Sequence, residues 1–498
     1  NSEKVEMLKI SQESTPASEL PTAGVQGKVD TFEQYRVLID LIDNVSRNYV
    51  HSMTREELIQ AAIEGVTSKL DPYSYYIGGA DMETFRRDMN SCFGGVGMAV
   101  DMVDGKATVM APLVGMPAYR AGVHCGDVIL EIDGKSLEKM KIDEVMELLA
   151  GEIGTQVKLR IQRVGKREPI EVTVEREMIL METVFGYDRS ADDSWNYWLD
   201  KNNGIAYIHV TEFRDETANE IRKVLKQLQS SSESEKKSDA QPDRTESNME
   251  SGVESGTRAG VESGTEKSPL RGLILDLRFN PGGDFNVAVE MCNMFISEGV
   301  IVSAKGKNTV EEVWRATPEM EIPASMPMVI LLNSYSASAS EVFSACLQDH
   351  NRAVIVGERS YGKGVIQSVL PFEGGNSNLK LTTAGYYSPN GRNIHREEGA
   401  GEADEWGVKP ADENLVQTSM EEDEMFLRDR NRRGTLKTHN DLPTTKNPAS
   451  YRDAQLEKAL SVVYSVLKIR ASAAKTLQVK MAPYQEKTAP VRRTNRRW

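Results

Sequence analysis

Cysteine is scarce in this chain of 498 residues: there are four, Cys92, Cys125, Cys292 and Cys346. So few, so widely scattered, exclude a disulfide-framework fold and a cysteine-built zinc site. Cys92 and Cys125 fall in one region, and a single bridge between them is left open. Long apolar runs are missing as well. No stretch approaches the roughly 18 residues of a membrane-spanning helix, and the longest, such as Met328–Leu332, have the length of buried strands. A basic surplus is absent: the formal net charge is −15, which argues against a nucleic-acid partner, since phosphate binding wants a basic face. The four arginines within Arg492–Arg497 read as a solvated terminus. An initial methionine is absent too, and Asn1 fits a removed leader or a shortened chain. What is present, 39% apolar and 27% charged residues, describes a soluble protein with real cores, long enough for two or three domains.

Organisation along the chain follows from pattern. Residues 1–29 lack periodicity and read as a flexible tail. Tyr35, Leu38, Ile39, Ile42 and Val45, then Leu58, Ala61, Ile63 and Val66, recur at helical spacing and predict a small helical module, the second helix closing at Leu70-Asp71-Pro72. From Phe93 to Met178, short β-like runs (Gly97–Val100, Ala107–Ala111, Asp127–Ile132, Gln156–Gln162) alternate with turns around one helix at Ile142–Leu149, as in a compact binding module. Buried strands and helices follow: Gly204–Ile208, Gly272–Leu277, helix 285–298, Met328–Leu332, helix 338–349, Ala353–Val356, Val365–Pro371 and Leu379–Thr383, an α/β core. Residues 229–269 interrupt it. They hold ten serines, no aromatic residue and a near-repeat at 252–257 and 260–265, so they cannot bury enough apolar surface to offset their ordering entropy and read as a disordered insertion within one domain. Residues 413–470 form a charged C-terminal helical region with a helix at Asp453–Ile469, and 471–498 a basic, flexible tail.

One constellation could do chemistry. Asn333–Glu341 follows the strand Met328–Leu332 directly, and a strand–turn–helix transition can present a nucleophile beside the free N–H groups of the helix start. Ser338-x-x-Glu341 is also an ordinary capping box. Lys363 and Gln367 lie in Gly357–Gln367, a loop entering a strand, where a spacing of four sets both side chains on one face. A lysine serves as a base only when burial or a nearby cation lowers its pKa. Gly362 and Gly364 would permit close packing around it, and the Gln367 amide could orient it. Gly357-x-x-x-x-Gly362-Lys363 is nearly a nucleotide-binding P-loop, but Gly364 stands where a metal-binding hydroxyl is required, and a strand, not a phosphate-cradling helix, follows. His350 lies about 18 Å along the same helix from Ser338 at 1.5 Å per residue, too far to act as its base; His209 and His395 stay open. Pro281-Gly282-Gly283, at the end of the strand Gly272–Leu277, is either a plain turn or a turn with N–H groups suited to an oxyanion.

Taken together, six ordered segments over residues 32–412 resemble the carboxyl-terminal processing, or tail-specific, serine peptidases. They are Leu70–Ser74, Phe93–Gly97, Pro117–Gly122 with Gly126–Ile129, Asp276–Gly283, Ser336–Glu341 and Gly362–Gln367. The resemblance implies a mixed α/β (α+β) fold: a helical N-terminal module at 30–86, a PDZ domain at 87–178, and a crotonase-like peptidase core at 179–228 and 270–412. It implies a serine nucleophile at Ser338 in preference to Ser336 or Ser340, a lysine base at Lys363 and a supporting Gln367. The oxyanion would lie on backbone N–H groups of Ala339 and of Gly282 or Gly283. The PDZ loop Phe93-Gly94-Gly95-Val96-Gly97 would take a free C-terminal carboxylate and the tail would add as a strand. Three departures are visible: the 229–269 insertion, Phe279 at a commonly polar position, and a long acidic Ile394–Pro410.

The expectation is therefore a serine endopeptidase that needs no metal, nucleotide or other cofactor. Its partners would be protein substrates with exposed apolar C-termini, and an association with copies of itself or an adaptor is left open. The resemblance implies a periplasmic or cell-envelope setting. The rival reading is a non-catalytic tail- or ligand-binding protein on the same scaffold, and a third is a scaffold in which only the PDZ domain works.

Overall fold

The structure, a computed structural model, describes residues 31–78, 82, 94–179, 181–230, 270–307, 310–372, 374, 376–438 and 451–468. The tails 1–29 and 471–498, nearly all of the 229–269 insertion, and Cys92 and Phe93 lie outside these residues. The chain divides into two units, residues 1–76 and 77–498.

In the first unit, helices α1 (Thr31–Asn48) and α2 (Arg55–Thr67) occupy the two stretches with helical apolar spacing. A capping box starts α2: the Thr54 hydroxyl accepts the Glu57 N–H at 3.2 Å, and the Glu57 carboxylate accepts the Thr54 N–H at 2.7 Å.

The second unit begins with an antiparallel sheet of strands β2 (Met98–Val103), β3 (Lys106–Pro112), β4 (Val128–Ile132), β5 (Gln156–Gln162) and β6 (Ile170–Glu175), paired in that order. Along β5 the side chains of Val157, Leu159 and Ile161 are buried while Gln156, Lys158 and Arg160 face water, the period-2 pattern of a half-covered sheet. Two helices, α3 (Pro117–Arg120) and α4 (Ile142–Leu149), contribute Ala118, Val145 and Leu149 to this core. A short β1 (Gly94–Gly95) pairs with β7 (Glu177–Met178). Cys125 is a free thiol that donates to the Met110 carbonyl at 2.7 Å.

The larger core is a sheet ordered β8 (Val184–Phe185), β10 (Ile205–Val210), β11 (Gly272–Asp276), β14 (Met328–Leu332) and β15 (Val354–Gly357), with β9 (Trp198–Asp200) also on β10. The last four of the ordered strands run parallel. They read as unbroken apolar runs because both faces are covered. Ala206, Ile208, Leu273, Leu275 and Ile330 pack on one face with α5 (Thr217–Ser230), α6 (Phe285–Asn293) and α7 (Ala339–Asp349). Tyr207, Ile274, Val329 and Leu331 pack on the other with α9 (Ala454–Val466). Helix α6 stops at Asn293, earlier than its apolar spacing predicts: Phe295 and Ile296 both turn their N–H groups to the Cys292 carbonyl, tightening the last turn. A second, antiparallel sheet joins β12 (Val300–Gly306) to β13 (Glu312–Arg315) and β17 (Ser377–Tyr387), and β17 to β16 (Val365–Phe372). The expected strand at Leu379–Thr383 is thus the middle of a longer hairpin arm. Helix α8 (Met420–Gly434) precedes α9. The chain is a mixture of helices and sheets throughout.

Candidate active site

Between β14 and α7 the chain turns through three alternating serines, and packing distinguishes them. Ser336 is fully buried and donates its hydroxyl to the Leu277 carbonyl at 2.8 Å; Ser340, also fully buried, donates to the Asn280 carbonyl at 3.0 Å. Ser338 stands half-exposed at φ 57° and ψ −116°. Its Oγ faces the Glu341 N–H in the arrangement of a capping box yet forms no capping hydrogen bond. Positive φ on a non-glycine residue stores strain, and at a sharp strand-to-helix elbow it lifts the side chain clear of the backbone.

The turn after β11 lies against this elbow. Asn280, fully buried, donates its Nδ2 to the Val210 carbonyl and accepts the Gly282 N–H on Oδ1, both at 2.9 Å. A Cβ on Gly282 (φ 105°) would come within 2.8 Å of the Ser338 Cβ and 2.9 Å of the Ala339 nitrogen, so this backbone touches the elbow with no room for a side chain. Gly283 bridges to Phe213. Because Asn280 occupies the Gly282 N–H, the N–H groups that carry no hydrogen bond among the described residues here are those of Gly283 and Ala339. The neighbouring Phe279 (φ 62°) stacks between Tyr335 and Phe426, with centroids 5.1 and 5.7 Å away.

Lys363 sits in the loop between β15 and β16, two residues before β16 begins. The alternation of a strand therefore does not relate it to Gln367, which lies in β16 beyond an irregularity in register and donates to Thr382 Oγ1 at 3.4 Å. Burial pushes the Lys363 amine below the usual lysine range, Lys380 on β17 adds to this, and Glu341 opposes it. Gly362 and Gly364 do permit close packing, but against the 394–407 segment. A Cβ on Gly362 would meet Arg396 Cβ at 2.7 Å, and one on Gly364 the His395 nitrogen at 2.3 Å.

The loop of Lys363 and the elbow of Ser338 meet at a residue that sequence reading assigned only to helix capping. Glu341 is fully buried, and its carboxylate accepts four hydrogen bonds. Oε2 takes the N–H groups of Ser338 and Lys363 at 2.8 and 2.7 Å, and Oε1 those of Gly362 and the Ser360 hydroxyl at 2.6 and 2.5 Å. Ser360 and Gly362 lie 19 and 21 positions away, which no local pattern reveals.

The three histidines weighed above also have places. His350 caps the far end of α7 and bonds the Val300 carbonyl. His209 is buried between the Asp276 carbonyl and Arg430, at 3.1 and 2.9 Å. His395 directs Nδ1 to the Gly362 carbonyl at 3.2 Å, beside the lysine loop. Among the described residues no group of three or more His, Cys, Asp or Glu is placed to hold a metal ion. In the loop expected to take a tail, Gly94 and Gly95 form β1, Gly97 takes φ 69°, and Val96 and Gly97 accept the N–H groups of Ala118 and Leu113 on their carbonyls.

Comparison with known proteins matches residues 252–410 to Peptidase family S41 and residues 108–163 to a PDZ domain. The carboxy-terminal-processing protease of Bartonella bacilliformis is 30% identical over 366 residues, covering 73% of this chain and 73% of that protein. The carboxy-terminal processing protease CtpA of Bacillus subtilis is 30% identical over 370 residues, 74% of this chain and 66% of its own. Among solved structures, a photosystem II D1 C-terminal processing protease aligns with 81% of this chain and 98% of its own at 23% identity and a TM-score of 0.40.

Proposed function

The chain belongs to peptidase family S41, among the carboxy-terminal-processing proteases, and carries a PDZ domain; from that premise we propose that it hydrolyses peptide bonds with Ser338 as nucleophile and Lys363 as base, on substrates whose C-terminal tails its PDZ domain holds. The observation that carries the reading is the contrast among the three serines. Ser336 and Ser340 are buried and spend their hydroxyls on backbone carbonyls, while Ser338 is half-exposed and strained, and its hydroxyl makes no capping hydrogen bond.

In the reaction, the neutral Lys363 amine takes the Ser338 hydroxyl proton as Oγ attacks the scissile carbonyl carbon. Negative charge gathers on the carbonyl oxygen, where the N–H groups of Gly283 and Ala339 await it, worth about 10²–10³-fold in kcat for one such donor. The lysine ammonium then gives its proton to the departing amine, leaving an acyl-enzyme, and the amine in turn activates the water that releases it. Gln367 orients the lysine. The loop at Gly94–Gly97 takes the tail's carboxylate on backbone N–H groups.

The test uses an unfolded protein ending in apolar residues and the same protein ending in acidic ones. Faster cleavage of the first, equalised by an excess of free apolar-tail peptide, is expected. Equal rates for both without competitor would overturn the tail-recognition half of the proposal.

A further inference from the structure

Glu341 has more hydrogen bonds than helix capping requires. A capping box uses one: the carboxylate of the third helical residue returning to the N–H of the cap. Here that bond exists at 2.8 Å from Ser338 N–H, but three further donors come from outside the helix, on a loop nineteen to twenty-two residues downstream. A carboxylate fully withdrawn from water is costly unless its lone pairs are satisfied, and two oxygens with two donors each satisfy them. The same atom, Oε2, accepts from the backbone nitrogens of Ser338 and Lys363. Those two nitrogens thus lie within two hydrogen-bond lengths of one another, about 6 Å at most. Nothing in helix stability calls for that arrangement.

We propose that Glu341 is a positioning residue for peptide-bond cleavage: its one carboxylate ties the nucleophile's elbow to the base's loop and sets the reach between Ser338 and Lys363. The proposal rests on the Ser338–Lys363 reading above. Ser360 is the buttress of the arrangement. Its hydroxyl donates to Glu341 Oε1 at 2.5 Å and accepts the Val408 N–H at 2.7 Å, so the carboxylate is also fixed to the end of the acidic 394–410 segment. The Tyr361 N–H on the Ser336 carbonyl, at 2.9 Å, holds the same two loops together from the other side.

Two charged side chains and one imidazole face the Lys363 amine or its loop. Lys380 on β17 and burial lower its pKa, Glu341 on α7 raises it, and the His395 ring lies against the Gly362 carbonyl. Removing the Glu341 charge while keeping its shape therefore has a distinctive sign. Glu341→Gln takes away the anion that favours the ammonium, so the pH at which kcat/KM rises shifts downward. Mere loosening of the site would admit water to Lys363 and shift that rise upward, toward the ordinary value of 10.5.

The experiment compares kcat, KM and the pH dependence of kcat/KM for wild type, Glu341→Gln and Glu341→Asp, with Ser338→Ala as the control for the dyad. Glu341→Gln should lose about 100-fold in kcat, the scale of an ångström's misplacement, with KM unchanged and the rise displaced to lower pH. Glu341→Asp keeps the charge but is too short to reach both loops, so kcat falls similarly while the rise stays where it is. Near-wild-type kcat in Glu341→Gln, or a rise displaced upward, would overturn the proposal. If Glu341→Gln does not fold, judged by its binding of a tail peptide and its circular dichroism, Ser360→Ala replaces it. That variant removes one of the four donors and should lower kcat several-fold at constant KM; an unchanged kcat would again overturn the proposal. Cleavage persisting in Ser338→Ala would instead reject the dyad itself, a separate failure.

Discussion

A serine hydroxyl and a lysine ammonium are both inert at neutral pH, and what each residue needs is visible in its surroundings. The Ser338 hydroxyl gains partial exposure and freedom from a capping hydrogen bond where the backbone accepts a strained φ. Lys363 gains a neutral fraction through burial first and Lys380 second. The consequence for pH has a definite sign. Activity should rise with pH as Lys363 loses its proton, and the rise should be centred below 10.5, the ordinary value. Lys380→Ala removes a repelling cation, raises the lysine's pKa and shrinks its neutral fraction. A few-fold loss of kcat/KM at neutral pH, recovered at higher pH, is expected from a pH–rate profile; an unshifted profile would show that Lys380 has no electrostatic role. Ser338 and Lys363 were legible as candidates in the sequence because the short patterns Ser336–Glu341 and Gly362–Gln367 resemble family motifs. Glu341's second task was not, because its partners come from a distant loop and a capping box already explained the residue.

At the scale of elements, the turn Arg278–Gly283 decides whether the elbow is correctly backed. Its conformation is dictated by Asn280, whose side chain reaches β10 and whose carbonyl receives Ala337 N–H and Ser340 Oγ. Gly282→Ala would set a Cβ 2.7 Å from the Ala337 carbonyl in a backbone conformation that L-residues rarely adopt. A loss of kcat of at least about 100-fold, the scale of a misplaced reacting group, with tail-peptide binding unchanged, is the expected outcome. Full activity would show that the elbow tolerates displacement. The parallel strands were legible because burial on both faces leaves unbroken apolar runs, and helix Ile142–Leu149 because its apolar face is regular. The hairpin of β12 and β13 was not, since Glu311, Glu312 and Arg315 dilute the strand signal with charge. The one-face relation of Lys363 to Gln367, argued from spacing, does not follow from a strand, because the strand starts between them.

At the scale of the whole second unit, buried charge fastens the C-terminal helices beneath the site. Arg278, fully buried, pairs with Asp276 at 2.6 Å and with Asp453 at 2.8 Å, the residue that caps α9, while Tyr207 donates to Asp276 at 2.7 Å. Arg278→Met strands two carboxylates in the interior and should cost about 3–5 kcal/mol, read as a lowered urea midpoint; a change under 1 kcal/mol would contradict this. His209 adds a pH dependence. Burial, against the pull of Asp276 and aided by Arg430, lowers its pKa from 6.5 to about 4. The unfolded chain then binds a proton that the folded chain refuses between these values. Stability is accordingly lost as pH falls from 6.5 to about 4, by roughly 3 kcal/mol in all, and denaturation midpoints across that window measure it. Asp193 makes a comparable link at the PDZ domain's edge, accepting from Tyr119 on α3 and from Lys437 and Thr438 after α8. The pairings of Arg278 with Asp453 and of Asp193 with Thr438 were not legible, because the partners lie 175 and 245 positions apart.

The most direct measurement of the central claim is mass spectrometry of an unfolded substrate with an apolar C-terminus after incubation with wild type, Ser338→Ala and Lys363→Ala. Cleavage by wild type and by neither variant, with tail-peptide binding retained in all three, is the predicted result. Cleavage surviving in Ser338→Ala would contradict the account and move the nucleophile elsewhere.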